Sequence, residues 1–156
     1  MAHGQYRQNF QREKSEFNQV VLDIARVTRV TAGGKRFSFR ATVAIGDGNG
    51  RVGVGVAKGQ DVAQSIDKAA KRAKKEIIKI NLKDGTIAHE VMAKYSSAVV
   101  LMKPSPKGNG VKAGGSVRAI AKLAGIEDIS AKLIERTNNK INVARAAIKA
   151  LKLLRK

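Results

Sequence analysis

The chain contains no cysteine, no tryptophan and only two prolines among its 156 residues. Without cysteine, disulfides, thiolate metal sites and cysteine nucleophiles are excluded. The two histidines, His3 and His89, are too few to predict a histidine-based metal site or catalytic triad. No apolar run approaches the roughly 18 residues that a membrane span needs, and no signal-peptide pattern opens the sequence. We therefore expect a cytoplasmic protein with no membrane partner.

Acidic residues are scarce relative to basic ones. Lys and Arg total 31 against 12 Asp and Glu, which gives a net charge of +19. Solubility alone needs a magnitude of about 2–8, so the excess predicts a polyanionic partner, with nucleic acid the leading candidate. Both halves share the excess, since residues 1–85 carry 17 basic and 8 acidic groups and residues 86–156 carry 14 and 4. A hydrophobic content of 43% still allows a folded core.

The first half carries the pattern of an antiparallel sheet. Residues 27–30 form a β-branched run, and apolar residues alternate with polar or small ones over residues 37–45 and 52–56. This alternation predicts half-buried strands, and the glycines of residues 33–34 and 46–50 predict the turns between them. We expect a three-stranded meander with two of the phenylalanines in its core.

A helix is predicted after these strands. Asp61 and Gln64 have the spacing of a capping box, and a stripe of small apolar residues follows them. The helix is expected to end before Asn81. Its lysines lie on the other side, which is either a merely solvated face or a face that binds nucleic acid.

The second half predicts a small α/β domain. Strand-like stretches cover residues 87–95, 98–103 and 126–137, a helix capped by Ser116 ends at Gly125, and a last helix opens at Asn142. The predicted fold class is α+β. The predicted organisation is a mobile basic arm over residues 1–16, domains over residues 17–80 and 86–156, and a linker over residues 81–85.

Two glycine-rich segments match phosphate-binding motifs only in part. Residues 48–53 read G-x-G-x-x-G, but they enter a valine-rich strand rather than a helix, which argues against a dinucleotide site. Residues 108–116 do lead into a helix, but they lack the Gly-Lys-Ser/Thr ending of a nucleotide-hydrolysing loop. We interpret this flexible second segment as a phosphate or protein contact, with a purely structural turn as the alternative.

Residues suited to catalysis or to base stacking are few. Glu127 and Asp128 are adjacent and would point apart on a strand, so they do not form a catalytic pair. Four Phe and two Tyr offer no array for stacking bases. The sequence therefore favours recognition of folded or double-helical RNA through phosphates, 2′-hydroxyls and shape. We predict no catalytic residue, no metal and no cofactor.

The strands and glycines resemble one family. Residues 26–30 (Arg-Val-Thr-Arg-Val), 33–39 (Gly-Gly-Lys-Arg-Phe-Ser-Phe) and 46–53 (Gly-Asp-Gly-Asn-Gly-Arg-Val-Gly) closely resemble bacterial small-subunit ribosomal protein five. Residues 85–91, 110–119 and 124–128 resemble the same family in the same order. As a set these motifs are highly specific, and the resemblance covers roughly residues 16–152.

The resemblance implies a fold and a role. It implies a first domain like a double-stranded RNA-binding domain and a second with a four-stranded sheet and two helices. It further implies a structural protein between the head and body of the small ribosomal subunit. The implied partners are 16S rRNA and ribosomal proteins four and eight, with messenger RNA nearby where it enters, and the implied role includes decoding accuracy. We expect no homo-oligomer. An RNA-acting enzyme and a free RNA chaperone remain alternatives.

Site residues follow from charge and from the resemblance. The residues expected to bind RNA are basic and come from both halves: Arg26, Arg29, Lys35, Arg36, Arg51, Lys58, Lys68, Lys71, Arg72, Lys75, Lys107, Lys112 and Arg145. The resemblance implies a loop on the side of the spectinomycin site, comprising Val27, Thr28, Gly33, Gly34 and Lys35. It implies a loop in contact with ribosomal protein four, comprising Gly108, Gly110, Gly114, Gly115 and Arg118.

The chain departs from the family pattern at three single positions. Ala32 stands where a basic residue is common, and Ala63 and Lys140 stand where proline is usual. In addition, Glu135 and Arg136 replace small residues before the last helix.

Overall fold

A computed structural model describes residues 16–154 of the chain. The predicted mobile arm over residues 1–16 lies outside these described residues, except for Glu16. In chain order the elements are β1 (Asn18–Thr31), β2 (Gly34–Gly46), β3 (Arg51–Gly59), α1 (Val62–Lys75), β4 (Ile78–Lys79), β5 (Val91–Tyr95), β6 (Ala98–Pro104), β7 (Val111–Lys112), α2 (Gly115–Ala124), β8 (Ile129–Leu133) and α3 (Lys140–Lys152). The α+β prediction is confirmed.

The first sheet has the antiparallel order β1-β2-β3-β4. The three predicted strands are present, and β1 and β2 form a long ribbon with one irregularity between Val21 and Asp23. The sequence predicted a helix that ends before Asn81 and no strand after it. Instead, α1 ends at Lys75 and the short strand β4 follows. A short β-branched stretch around Ile78 follows the helix, and such residues favour strand over helix.

Helix α1 packs closely on this sheet because β3 has glycines on the face that lies beneath the helix. Gly53 and Gly55 of β3 face Ala69 and Ala73 of α1, and a Cβ at either glycine would overlap the helix backbone. Alternating glycines in a strand predict that another backbone approaches closely. Here that backbone is the chain's own helix, which leaves the lysines of α1 on the outer side.

Helix α3 begins at Lys140, capped by the Asn139 side chain, two residues before the predicted opening at Asn142.

The starts of the other two helices also differ from the predictions. The Asp61 carboxylate caps α1, but Gln64 accepts its hydrogen bond from the amide of Gln60, so the reciprocal capping box is not formed. Helix α2 begins two residues earlier than expected, after Gly114. Ser116 therefore lies inside the helix, and its predicted capping role is wrong.

The second sheet has the order β5-β6-β8-β7, with β7 parallel to β8. Strands β5 and β8 are shorter than predicted, and β7 lies within the glycine segment, where no strand was predicted. The stretch before β5 begins as a turn in which Lys83 and Thr86 exchange backbone hydrogen bonds, since Asp84 and Gly85 take positive φ. The domain limits at residues 17–80 and 86–156 stay predictions.

The two sheets share one buried core. Ala44, Val52 and Val54 of the first sheet belong to the same apolar cluster as the buried residues of α2 and α3. An ion pair of 3.3 Å between Lys140 and Asp23 also joins α3 to β1. Lys140, which stands where proline is usual in the family that the sequence resembles, therefore makes a contact between the halves.

A backbone contact, here named the glycine junction, completes this connection. The amides of Gly48 and Gly50, in the turn between β2 and β3, donate 2.9 Å hydrogen bonds to the carbonyls of Leu123 and Ala124. These carbonyls end α2 and have no partner within the helix. Gly125 ends the helix at φ 80°, and a Cβ there would overlap the backbone of Gly48. A Cβ at Gly46, the last residue of β2, would likewise overlap the backbone of Leu123, so the junction depends on the absence of side chains on both partners.

Replacing Gly125 by alanine should destabilise the protein by about 2–4 kcal/mol. The left-handed conformation penalises a Cβ, and the new methyl group also displaces the turn at Gly48. Urea denaturation at equilibrium measures the loss.

The matched control is Gly33→Ala, because Gly33 lacks positive φ and nothing lies within 4 Å of a Cβ built there. Its free energy of unfolding should change by less than about 0.5 kcal/mol. Equal losses for the two variants would show that the glycine junction contributes nothing to stability.

Candidate nucleic-acid interface

Every basic residue predicted to bind RNA is exposed. The β1–β2 ribbon carries Arg26, Arg29, Lys35 and Arg36, and α1 carries Lys68, Lys71, Arg72 and Lys75. Strand β3 carries Arg51 and Lys58, and the second half carries Lys107, Lys112 and Arg145. The structure therefore presents cations from the ribbon, the helix and the second half rather than from one compact site.

The ribbon brings like charges together. Arg29 of β1 lies directly opposite Arg36 of β2 in the strand register. Two like charges in this position destabilise a strand pair. A phosphate between the two guanidinium groups would remove this repulsion, which makes the pair a suitable site for a polyanion.

The other face of the ribbon carries an unexpected aromatic group. The guanidinium of Arg26 lies 3.7 Å from the centroid of the Phe37 ring. Phe37 is 50% exposed, although the alternation over residues 37–45 predicts it on the apolar, half-buried face of its strand. The ribbon extends past α1, whose buried contacts on β2 are made with Ala41, Val43 and Ile45. The exposed ring and its guanidinium offer one planar surface to a partner.

The turn between β1 and β2, which the resemblance places on the side of the spectinomycin site, has one glycine that the backbone requires. Gly34 takes φ 141°, whereas Gly33 does not take positive φ. The Thr31 hydroxyl donates a 2.9 Å hydrogen bond to the Gly34 carbonyl and closes the turn. Nearby, Thr28 and Lys35 are exposed and Val27 is half-buried.

The cations of α1 remain largely free for a partner. Arg72 donates one hydrogen bond of 2.8 Å to the carbonyl of Val56 and so binds the uncovered edge of β3. A guanidinium has five N–H donors, so others are left. The ion pairs within residues 16–154 are Arg51–Asp47, Lys103–Glu90 and Lys140–Asp23. The α1 lysines are in none of them.

Among the residues predicted to bind RNA, Arg51 is the one that forms an ion pair within residues 16–154. Its Nε donates to Asp47 at 2.6 Å, and the backbone amides of Asn49 and Arg51 donate to the same carboxylate at 2.8 and 3.0 Å. Burial raises the pKa of Asp47, but these hydrogen bonds and the charge of Arg51 outweigh it and lower the pKa to about 2. The hydrogen bond to Asp47 in turn raises the pKa of Arg51. Asp47 thus shapes the turn that carries Gly48 and Gly50.

The second glycine segment is tethered rather than flexible along its whole length. The buried Asp128 carboxylate accepts a 2.7 Å hydrogen bond from the Gly110 amide. Gly108 and Gly110 take φ 93° and 69°, so the backbone requires glycine there. Gly114 and Gly115 are exposed, lack positive φ and have room for a Cβ. The fold does not need glycine at these last two positions, which fits a surface approached by a partner.

Arg118 also fits a contact surface. It is exposed in the first turn of α2, a turn that contains no acidic residue. A cation at this end opposes the helix dipole, so it does not stabilise the helix. Its place is better explained by a partner's carboxylate or phosphate.

Two exposed lysines that were not predicted to bind RNA also belong to the candidate interface. Lys149 and Lys152 follow Arg145 at helical spacing and share its exposed face of α3. The helical spacing of these residues was visible in the sequence. Their proximity to Lys75 of α1, however, depends on how the two halves pack together.

Two other kinds of site are absent from residues 16–154. In that range no three His, Asp or Glu side chains are grouped so as to hold a metal ion. Nor does the same stretch contain a helix with the length and apolar character needed to cross a membrane.

The fold and its cationic faces define an α+β protein of the RNA-binding class, with two sheets held in one core. Family models described as "Ribosomal protein S5, N-terminal domain" and "Ribosomal protein S5, C-terminal domain" match residues 17–81 and 93–156. The chain is 48% identical over 142 residues to small ribosomal subunit protein uS5 of Campylobacter jejuni, covering 91% of this chain and 96% of that protein. It is 50% identical over 135 residues to uS5 of Persephonella marina, covering 86% and 70%. The chain belongs to the ribosomal protein S5 family, as the resemblance implies.

Replacing Asp47 by asparagine should cost about 1 kcal/mol at pH 7, after allowance for solvent screening. The lowered pKa means that the carboxylate stabilises the fold above the unfolded value of 3.8, and that this contribution falls as the pH drops toward 2. Urea titrations of both proteins at pH 7, 5 and 3 measure the difference. We expect it to shrink at pH 3, whereas a difference independent of pH would show that the charge of Asp47 is unimportant.

Proposed function

We propose that the chain is a structural, non-catalytic protein of the small ribosomal subunit that binds 16S rRNA in the cytoplasm. The observation that carries the proposal is the exposure of the predicted basic ligands on both halves of a member of this family. The named relatives are themselves small-subunit proteins. Phosphate and shape recognition suits lysines and arginines that have few aromatic neighbours.

A bridging role between head and body is part of the same proposal. The shared core and the glycine junction hold the two halves together, so RNA bound to one half is held relative to RNA bound to the other. Ribosomal proteins four and eight are the proposed protein partners, and messenger RNA lies nearby where it enters. The loop around Gly33 and Gly34 is proposed to face the spectinomycin site.

The loop that leads into α2 is the proposed contact with ribosomal protein four. Gly108 and Gly110 shape it, and Asp128 tethers it to the second sheet. Gly114, Gly115 and Arg118 then present an open backbone and one cation to the partner. A contact of this kind adds little to the stability of the free protein but can favour one subunit state over another.

Binding to 16S rRNA should weaken steeply with salt. Each phosphate neutralised should contribute about 0.7–0.9 to the slope of log affinity against log salt, and several should be neutralised together. Filter binding between 50 and 300 mM salt gives the slope. A flat dependence would contradict the electrostatic mode of binding.

Sedimentation of the native protein tests its placement. We expect it to travel with small ribosomal subunits in about equal numbers. A protein that stays free of subunits, yet binds RNA with the same salt dependence, would instead support the chaperone or enzyme alternative.

Changing Arg118 to alanine, or Gly114 to leucine, should alter decoding in ribosomes that still assemble. The expected shift between subunit states is on the order of 1–3 kcal/mol, the usual size of a coupling energy. Misreading frequency measures it, with Lys122→Ala as the control because this exposed lysine lies on the same helix. Unchanged error rates would show that the loop is only a structural turn.

A further inference from the structure

A cleft between the halves collects positive charge from both. Its volume is 640 Å³, and its cationic lining consists of Lys75 at the end of α1 and Arg145, Lys149 and Lys152 on α3. One carboxylate, Glu76, also lines it. The remaining lining is Val54, Ile77, Ile78, Tyr95 and Ile148, so the cations surround a largely apolar floor.

Two of these cations are held in place without being neutralised. Arg145 donates a 2.7 Å hydrogen bond to the Tyr95 hydroxyl, and its guanidinium lies 5.5 Å from the centroid of that ring. Lys149 donates a 3.1 Å hydrogen bond to the carbonyl of Lys94. A guanidinium has five N–H donors and an ammonium has three, so both keep donors for a ligand. Holding the side chains in advance reduces the entropy lost on binding.

The other two cations remain uncommitted. Lys75 and Lys152 take part in no ion pair or side-chain hydrogen bond found within residues 16–154. A cation in the last turn of a helix interacts favourably with the helix dipole. This interaction alone would explain the presence of each lysine taken separately. It does not explain why the ends of two helices from different halves point their charge into one cleft, because like charges repel.

We propose that this cleft binds the phosphate backbone of an RNA strand, which thereby touches both halves at once. The inference rests on the proposed function, since it takes rRNA as the polyanion. Arginine presents a planar fork to phosphate oxygens, and flanking lysines add charge on either side. The ring of Tyr95 is occupied by Arg145, so the cleft suits a backbone rather than a stacked base. It is a site separate from the ribbon and from the outer face of α1.

The double variant Lys75→Gln/Lys152→Gln tests the proposal against Lys122→Gln/Lys132→Gln. Both variants remove two exposed lysines, so they lose the same net charge. Lys122 and Lys132 do not line the cleft. For 16S rRNA we expect the cleft variant to lower the salt slope by about 2 and to bind about tenfold or more weakly at 0.1 M salt. The control should remain close to wild type.

The outcomes separate the two proposals. Wild-type protein that fails to bind 16S rRNA would overturn the proposed function together with this inference. Wild-type binding with equal effects of the two double variants would overturn the cleft alone. Circular dichroism and urea denaturation show whether each variant is folded before its affinity is compared.

A crosslinking experiment identifies the occupant without neutralising a lysine. The chain contains no cysteine, so Glu76→Cys provides a unique attachment point for a photoreactive group at the edge of the cleft. In reconstituted small subunits we expect the crosslink to form with 16S rRNA. Met92→Cys, an exposed position outside the cleft lining, is the control for nonspecific reaction. A crosslink to a protein, or rRNA labelling no stronger than the control's, would overturn the proposal.

Discussion

The architecture depends on a contact between two stretches of bare backbone. The turn from β2 to β3 supplies two amides to the last carbonyls of α2, and this approach is possible only because Gly46, at the end of β2, and Gly125 carry no side chains. Helix α2 then closes the core that Val52 and Val54 share with the second half. The cationic surfaces of both halves consequently have a fixed relation to each other, and the cleft between α1 and α3 exists because of it.

The scarce acidic residues hold the fold together, while the abundant basic residues face outward. Asp47 organises the turn of the glycine junction, Asp128 tethers the second glycine segment, and Asp23 pairs with Lys140 across the halves. Carboxylates engaged in this way offer little repulsion to an approaching phosphate. The predicted ligands stay exposed, and the opposed pair Arg29 and Arg36 shows that the protein tolerates local repulsion that a polyanion relieves.

The sequence predicted those features that depend on local patterns. A β-branched run predicted the end of β1, and alternation predicted β2 and β3. The αL position of Gly125 followed from its place after an amphipathic helix. Features set by tertiary packing were missed: the pairing of Ile78 with β3, the exposed position of Phe37, and the cap of α2 at Gly114 instead of Ser116. The cationic cleft was missed for the same reason, since no local pattern brings the ends of α1 and α3 together. The exposure of the basic residues predicted to bind RNA could be expected from their charge alone, but their grouping in space could not.

Amide hydrogen exchange at Gly48 and Gly50 tests most directly whether the glycine junction holds the two halves as one unit. These amides donate to the end of α2, so in a single cooperative fold they open only with global unfolding. The account predicts that they exchange with the same free energy as the buried strand amides of Val43 and Val100. Exchange at a much lower free energy, while both sheets stay protected, would show that the junction opens by itself and would contradict the account.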